Sequence, residues 1–270
     1  MTLVNGVPAD TLAVSDRGLA YGDGVFRTLL VRQGHPVCWR RHYRKLARDC
    51  AALAIPCPAD DLLAGELAQA AHRLGEGVAK IIVTRGTGPR GYAPPRPAAA
   101  TRIVMASALP RYPAEFARSG VRLHLCRTRA AWQPQLAGVK HLNRLENVLA
   151  RAEWDDAAVP EGLMLDADDN VVGGTMTNLF VVEGDGLVTP ELSRCGVAGV
   201  ARERILDAAR ARGSACREER VPLSRVYDAT EVLLVNSVIG VWPATECGGR
   251  SWRPGAAALR VRQWLDECED

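Results

Sequence analysis

Two spacings of apolar residues organise the chain. Residues 25–31 (VFRTLLV), 77–86 (GVAKIIVTRG) and 101–109 (TRIVMASAL) are rich in aliphatic and β-branched residues and read as strands. The opening, LVNG and then TLAVSDRGLAYGDGVFRTLLV, reads as short strands around a glycine-rich turn punctuated by Gly22 and Gly24. Over residues 39–54, Tyr43, Leu46, Cys50 and Leu53 recur at helical spacing. Pro56 and Pro58 stop that helix, and residues 59–74 predict a second. The first half therefore mixes strands with two helices, an α+β pattern. PRYPAEFARSG (110–120) has two prolines and a glycine and no clear period, so it predicts a boundary between a small domain, 1–115, and a larger one, 116–270. Beyond it, 121–128 predicts a strand. Residues 141–157 predict an amphipathic helix with Leu142, Leu145, Leu149 and Ala152 on one face. Short β-like pieces follow at 162–173 and 178–190, then a helix at 200–213 ending in glycine, and a buried strand at 230–243 leading into a turn. The chain carries no internal repeat and no low-complexity segment.

Composition narrows the class without naming a reaction. Hydrophobic residues at 47% and charged residues at 24% are the balance of a globular protein. The net charge of +3 is spread along the chain, so nucleic acid is not the expected partner. No run of about 18 apolar residues predicts a membrane span. MTLVNGVPAD has neither a basic nor an apolar signal region, and a secretory leader is not expected. The eight cysteines (38, 50, 57, 126, 195, 216, 247, 268) contain no C-x-x-C pair, so a metal site is not expected and reduced thiols in a cytoplasmic protein are.

Two segments could carry chemistry. Lys140 follows the loop QPQLAGV and precedes the helix predicted from residue 141. A helix N-terminus and partial burial both disfavour an ammonium, and only a neutral amine attacks a carbonyl. From position alone, a solvated lysine near a helix start is the competing reading. CGVAGVARERIL (195–206) is a glycine-bearing turn feeding a helix, whose free N–H groups form a phosphate site or simply start the helix. The five histidines lie far apart, and His72 and His124 read as structural.

Seven segments in order, LVNG, AVSDRGLAYGDGVFRT, VTRGTGPRGYAPP, LAGVKHLNRLENVLAR, a strand pair ending in TNLF, CGVAGVARE and VLLVNSVIGVWP, resemble the motifs of 4-amino-4-deoxychorismate lyases. The resemblance runs from the first residues to about residue 243, and the lysine segment is its most specific part. It implies an α+β, fold-type IV (D-amino-acid aminotransferase-like) enzyme dependent on pyridoxal 5'-phosphate (PLP). A small N-terminal and a larger C-terminal domain would hold the cofactor between them, commonly in a homodimer. Lys140, carried with the phosphate turn by the C-terminal domain, would be the Schiff-base lysine and would remove the proton from the carbon bearing the substrate nitrogen. The products would be 4-aminobenzoate and pyruvate, in folate biosynthesis. The backbone at Gly199, Val200 and Ala201, with Ser237, would cup the phosphate, and Asn236 lies beside them. Thr28, Arg90 and Tyr92 would meet the substrate, Arg90 through bidentate bonds to a carboxylate, with a plain surface arginine as the other reading. His141 is motif-typical and carries no assigned role.

The sequence departs from the family at three places. Fold-type IV enzymes carry a glutamate five residues before the Asn of the N-[LIVF]-F strand, where it pairs with the pyridine nitrogen; here that position is Gly173. The arginine that grips the phosphate is Lys45, which keeps the charge and loses the fork. Arg27 stands where relatives carry Glu or Thr. Three accounts stay open: a lyase with a weaker electron sink, helped by aromatisation; an acid from the Asp166–Asp168–Asp169 loop reaching the ring, against a simple solvated turn; or a protein diverged to another use, including aminotransferase chemistry or loss of PLP.

Overall fold

The computed structural model describes residues 1–72 and 74–267; Cys268 lies outside them. The chain falls into two compact units. The first comprises Met1–Pro110 and also Val139–Asn143; the second comprises Arg111–Gly138 and, among the described residues, 144–267. The division falls five residues before the expected one, and the short segment bearing Lys140 packs with the first unit rather than the second.

In the first unit the order is β1 (Thr2–Val4), β2 (Val7–Pro8), α1 (Arg17–Tyr21), β3 (Gly24–Arg32), β4 (His35–Pro36), α2 (Trp39–Ala52), α3 (Asp60–Ala71), β5 (Glu76–Thr84) and β6 (Thr101–Ser107). The strands form one antiparallel sheet in the order β2-β1-β6-β5-β3-β4. Alternate residues of β3 and β5 (Val25, Leu29, Val31; Ala79, Ile81, Val83) pack against Leu46 and Cys50 of α2 and Leu63 and Leu67 of α3. That is the period-2 burial of a sheet covered by helices on one face. The glycine-rich segment read as strand and turn contains α1, because the Asp16 carboxylate accepts the Gly18 N–H and caps it.

The second unit contains α4 (Ala114–Arg118), β7 (Val121–Leu125), α5 (Leu145–Arg151), β8 (Glu161–Leu165), β9 (Val171–Gly174), β10 (Asn178–Glu183), β11 (Gly186–Pro190), α6 (Val200–Ala211), β12 (Cys216–Glu219), α7 (Leu223–Asp228), β13 (Glu231–Asn236), β14 (Gly240–Cys247), β15 (Arg250–Ser251) and α8 (Ala256–Glu267). Its sheet runs β12-β11-β10-β13-β14-β7-β8-β9, with β15 on β14. The unbroken apolar runs NLFVV and VLLV follow from burial on both faces. Leu179, Val181, Val232 and Leu234 enter one core with Trp242. Their neighbours Phe180, Val182, Leu233 and Val235 enter another beneath Ile205 of α6 and Val261 and Trp264 of α8.

Two sequence expectations are corrected. The helix predicted over 141–157 is only Leu145–Arg151. Residues 141–143 do not join it because Leu142 N–H donates to Gly24 C=O (2.9 Å) and His141 bridges Val25, so their backbone is held in extended pairing. The apolar face of α5 is also not packed inward: Leu145, Val148 and Leu149 are exposed. Segment 110–120, read as irregular, holds the short helix α4.

Candidate active site

In the first unit, Lys140 continues the edge of β3. Phe26 N–H donates to Lys140 C=O (2.9 Å), and Leu142 N–H donates to Gly24 C=O one step on. Val139 and His141, its neighbours, are buried. Successive side chains of an extended segment alternate in direction, so Lys140 leaves on the other face. There its Nζ lies 4.5 Å from the centre of the Phe26 ring. The Nζ of Lys80, a residue the sequence reading passed over, lies 5.0 Å from the same ring. Thr28 shares this face of β3 with Phe26, in register with Lys80. The lysine is therefore placed by strand pairing. The helix start invoked for it from sequence does not exist, since α5 begins five residues later with Arg144 as its cap.

Lys45 is buried on α2, its carbonyl accepting from Arg27 Nη2 (3.3 Å). Asp49, one turn further on, accepts from Arg27 Nη2 and from Lys140 N–H (3.1 Å). Burial pushes the Asp49 carboxyl above the usual range, against the pull of Arg27, the Lys140 N–H and the Lys45 charge.

The loop carrying Arg90 and Tyr92 is tied down from α1. Arg17 Nε donates to Asp23 (2.9 Å), and its other nitrogens donate to Gly91 C=O (2.8 Å) and Tyr92 C=O (3.2 Å). Tyr21 Oη accepts Gly91 N–H (2.9 Å), and the Tyr21 and Tyr92 rings lie 5.6 Å apart. Arg85 also clasps Asp23, and the two guanidiniums hold its carboxyl below the usual range although burial opposes them. Arg90 and Tyr92 themselves are exposed. Thus SDRG and RGTGPRGY are one network, which the sequence presents as two separate motifs.

In the second unit, Asn178 shapes the turn before α6. Its Nδ2 donates to Val197 C=O (2.8 Å) and its Oδ1 accepts Gly199 N–H (3.1 Å). A Cβ on Gly199 would run into that Oδ1 and displace the Asn178 amide from its two bonds. Gly199 is the N-cap of α6 and no side chain caps the helix. The first N–H groups of a helix have no intrahelical acceptor. Since Gly199 N–H is already taken by Asn178, Val200 and Ala201 are the donors left for an anion. Asn236, placed beside them by sequence, uses its Oδ1 to accept Val238 and Ile239 N–H (2.8 and 2.9 Å) and its Nδ2 to hold Met176 C=O (3.2 Å). It builds the turn in which Ser237 sits.

Gly173 ends in a tight place: a Cβ there would lie 2.7 Å from Thr177 C=O. The turn 174–177 is organised by Glu161, which is completely buried. Its carboxylate accepts N–H groups of Gly162 (2.8 Å), Thr175 (2.9 Å) and Met176 (3.1 Å) and the hydroxyls of Thr175 and Thr177. Full burial pushes its carboxyl up, against those donors. The acids 166, 168 and 169 are a turn of their own: Asp166 accepts Asp168 and Asn170 N–H, while Asp168 pairs with Arg194 and Asp169 with Arg129.

The fold of each unit is that of a known class of enzyme, and similarity identifies which. Residues 24–247 match the family model described as amino-transferase class IV. The chain belongs to the class IV aminotransferase family, with its fold-type IV architecture. Among individual relatives, the aminodeoxychorismate lyase of Vibrio harveyi is 35% identical over 91% of this chain and 90% of its own. The crystal structure of 4-amino-4-deoxychorismate lyase from Pseudomonas aeruginosa matches with a TM-score of 0.95 and 48% identity over 99% of both chains. The branched-chain amino acid aminotransferase of Escherichia coli, 22% identical with a TM-score of 0.89 over 99% of this chain and 93% of its own, shares the fold.

Proposed function

We propose that this chain is a PLP-dependent aminodeoxychorismate lyase, releasing 4-aminobenzoate and pyruvate, in the cytoplasm. The observation that carries the reading is Lys140, the centre of the motif most specific to these lyases, held by backbone pairing with its amine over the Phe26 ring. Each unit by itself carries groups suited to one part of the cofactor. Lys140 would hold its aldehyde carbon, and the Val200 and Ala201 N–H groups would take its phosphate beside the cradle that a Cβ at Gly199 would fill. Ser237 would complete the cup, and Lys45 adds a cation without the arginine fork. When bound, PLP supplies an electron sink to the carbon that loses its proton.

This chain's own residues do the rest. The Lys140 amine takes the proton from the ring carbon that bears the substrate nitrogen. The bond from the neighbouring carbon to the enolpyruvyl oxygen breaks, its electron pair leaves with the oxygen, and the enolate released becomes pyruvate on taking a proton at its CH2 carbon. Arg90 and Tyr92 bind the substrate carboxylates, with Thr28 on the Lys140 face of β3. No acid stands at position 173, so the sink is weaker than in relatives that carry one, and aromatisation of the ring supplies the driving force.

The partner is a second copy of the chain. Leu145, Val148 and Leu149 form an exposed i, i+3, i+4 apolar face on α5, the kind of stripe that a homodimer covers. No helix among the described residues is long and apolar enough to cross a membrane, and the seven described cysteines are free, in keeping with a reducing compartment.

The test is visible absorbance of the purified protein with added PLP, borohydride fixation, and pyruvate release from aminodeoxychorismate without a keto acid. A yellow species, fixed by borohydride and lost in Lys140→Ala, together with pyruvate release, is the expected result. A protein that takes up no PLP, or that forms pyridoxamine phosphate from amino donors without releasing pyruvate, overturns it.

A further inference from the structure

The core between β3 and α2 contains charges where apolar residues would serve. The inward positions of β3 run Val25, Arg27, Leu29, Val31, and the inward face of α2 includes Lys45, Leu46, Asp49 and Cys50. Arg27 is 2% exposed and Asp49 is 6% exposed. A buried ion pair is weak as a source of stability, because desolvating both charges cancels much of their attraction; an apolar pair of similar volume often does as well. The pair therefore calls for a reason other than stability, and the hydrogen bonds supply one.

The pairing of the lysine segment with β3 ends at Lys140. Its C=O takes Phe26 N–H, but its own N–H turns to Asp49 Oδ2. Asp49 is in turn gripped by Arg27 Nη2, and the same nitrogen also donates to Lys45 C=O on α2. The lysine backbone is thus tied at one peptide to the strand and at the next to the helix. The second tie acts on the peptide between Val139 and Lys140, whose orientation sets the direction of the side chain.

We propose that Asp49, oriented by Arg27, is a positioning residue that fixes the Lys140 backbone so that the amine emerges over Phe26. Its role in cofactor binding rests on Lys140 being the Schiff-base lysine; the backbone tie does not. Charge and acceptor are separable: Asp49→Asn keeps an oxygen for the Lys140 N–H, while Asp49→Ala removes it.

The first readout is hydrogen exchange at the Lys140 amide in the protein without cofactor, with the Leu142 amide as an internal reference. The second is the PLP dissociation constant, followed through the Schiff-base absorbance of the holoenzyme. In Asp49→Ala the Lys140 amide is expected to exchange at least about tenfold faster while Leu142 is unchanged, and PLP to bind about tenfold more weakly; Asp49→Asn is expected to stay within about threefold of the parent on both. If the alanine variant, which takes a carboxylate away from buried Arg27, fails to fold, Arg27→Met with Asp49→Leu removes both charges and takes its place with the same expected readings. Exchange and PLP affinity within about threefold of the parent in the alanine or double variant overturn the proposal, as does equal acceleration at Leu142, which marks a general loss of structure. If the parent itself takes up no PLP, the lyase reading falls, and the exchange comparison alone decides for or against Asp49.

Discussion

Replacing Glu161 by glutamine changes one atom and should cost nearly as much as a core truncation. Five donors converge on its two oxygens. An amide has only one acceptor oxygen. With the NH2 at the Oε1 position it faces the N–H groups of Gly162 and Thr175; at the Oε2 position it faces that of Met176. The threonine hydroxyls can rotate to accept, whereas a backbone N–H cannot. The second orientation is the better one and still sets one fixed donor against another. Losing that charge-assisted bond costs about 2 kcal/mol, and turning the remaining bonds from charged to neutral adds about 1 kcal/mol or more. Glu161→Gln is therefore expected to lose about 3 kcal/mol. Glu161→Ala, which leaves the Gly162 and Met176 N–H groups without that acceptor while Thr175 N–H retains Gly162 C=O, is expected to lose about 4–5 kcal/mol. Against a total stability of roughly 5–15 kcal/mol, both are large. Urea unfolding with an unchanged slope measures the difference. A glutamine variant within about 1 kcal/mol of the parent would refute the idea that the backbone donors need a carboxylate.

Two further outcomes follow from the same bond lists. Arg17→Ala removes the donors to Gly91 and Tyr92 C=O and releases the loop bearing Arg90, so KM for the substrate should rise about tenfold with kcat little changed and the Schiff-base absorbance intact; an unchanged KM would detach that loop from substrate binding. Glu153 accepts Arg127 and Thr128 N–H and pairs with His124, and these bonds pull its pKa down to about 2, against desolvation. A lowered folded-state pKa means stability that is present above the unfolded value near 4.5 and lost as pH falls toward 2, up to about 3 kcal/mol; Glu153→Gln should flatten that part of the stability–pH curve, and parallel curves for the two proteins would exclude Glu153 as a source of acid lability.

What the sequence made legible follows the range of the interaction. The strands β3, β5, β10 and β13 are visible because their apolar runs are local. Lys140 is visible through its motif, but the reason first given for it, a helix start, was displaced by pairing with Gly24 and Phe26, residues more than a hundred positions away. Helix α8 went unseen because its buried face, Val261, Trp264 and Leu265, is short and set among arginines. Glu161, Asp49 and Lys80 carry no local signature, since each acquires its role from partners brought by the fold. Arg27 did signal from the sequence, as a residue standing where relatives carry Glu or Thr, although its partner Asp49 could not be read there.

Gly173 shows how a visible absence can still be misjudged in kind. From sequence it is a missing carboxylate, one substitution away from the family pattern. In the structure, a Cβ at 173 would press on Thr177 C=O at 2.7 Å, and Thr177 is held in place by its hydroxyl bond to Glu161 at 2.9 Å. The next residue is closed as well: a Cβ on Gly174 would stand 2.2 Å from Thr177 Oγ1 and 2.7 Å from the Glu161 carboxylate. Two glycines, a threonine and a buried glutamate thus make one tight turn, and it leaves no room for the acid. Restoring a glutamate at 173 alone would strain the turn that positions Asn178, and through Asn178 the start of α6. On the proposed function, the weaker electron sink is a property of the whole turn, and the chemistry would draw on Lys140 and on the stability of the aromatic product rather than on a charged partner at position 173.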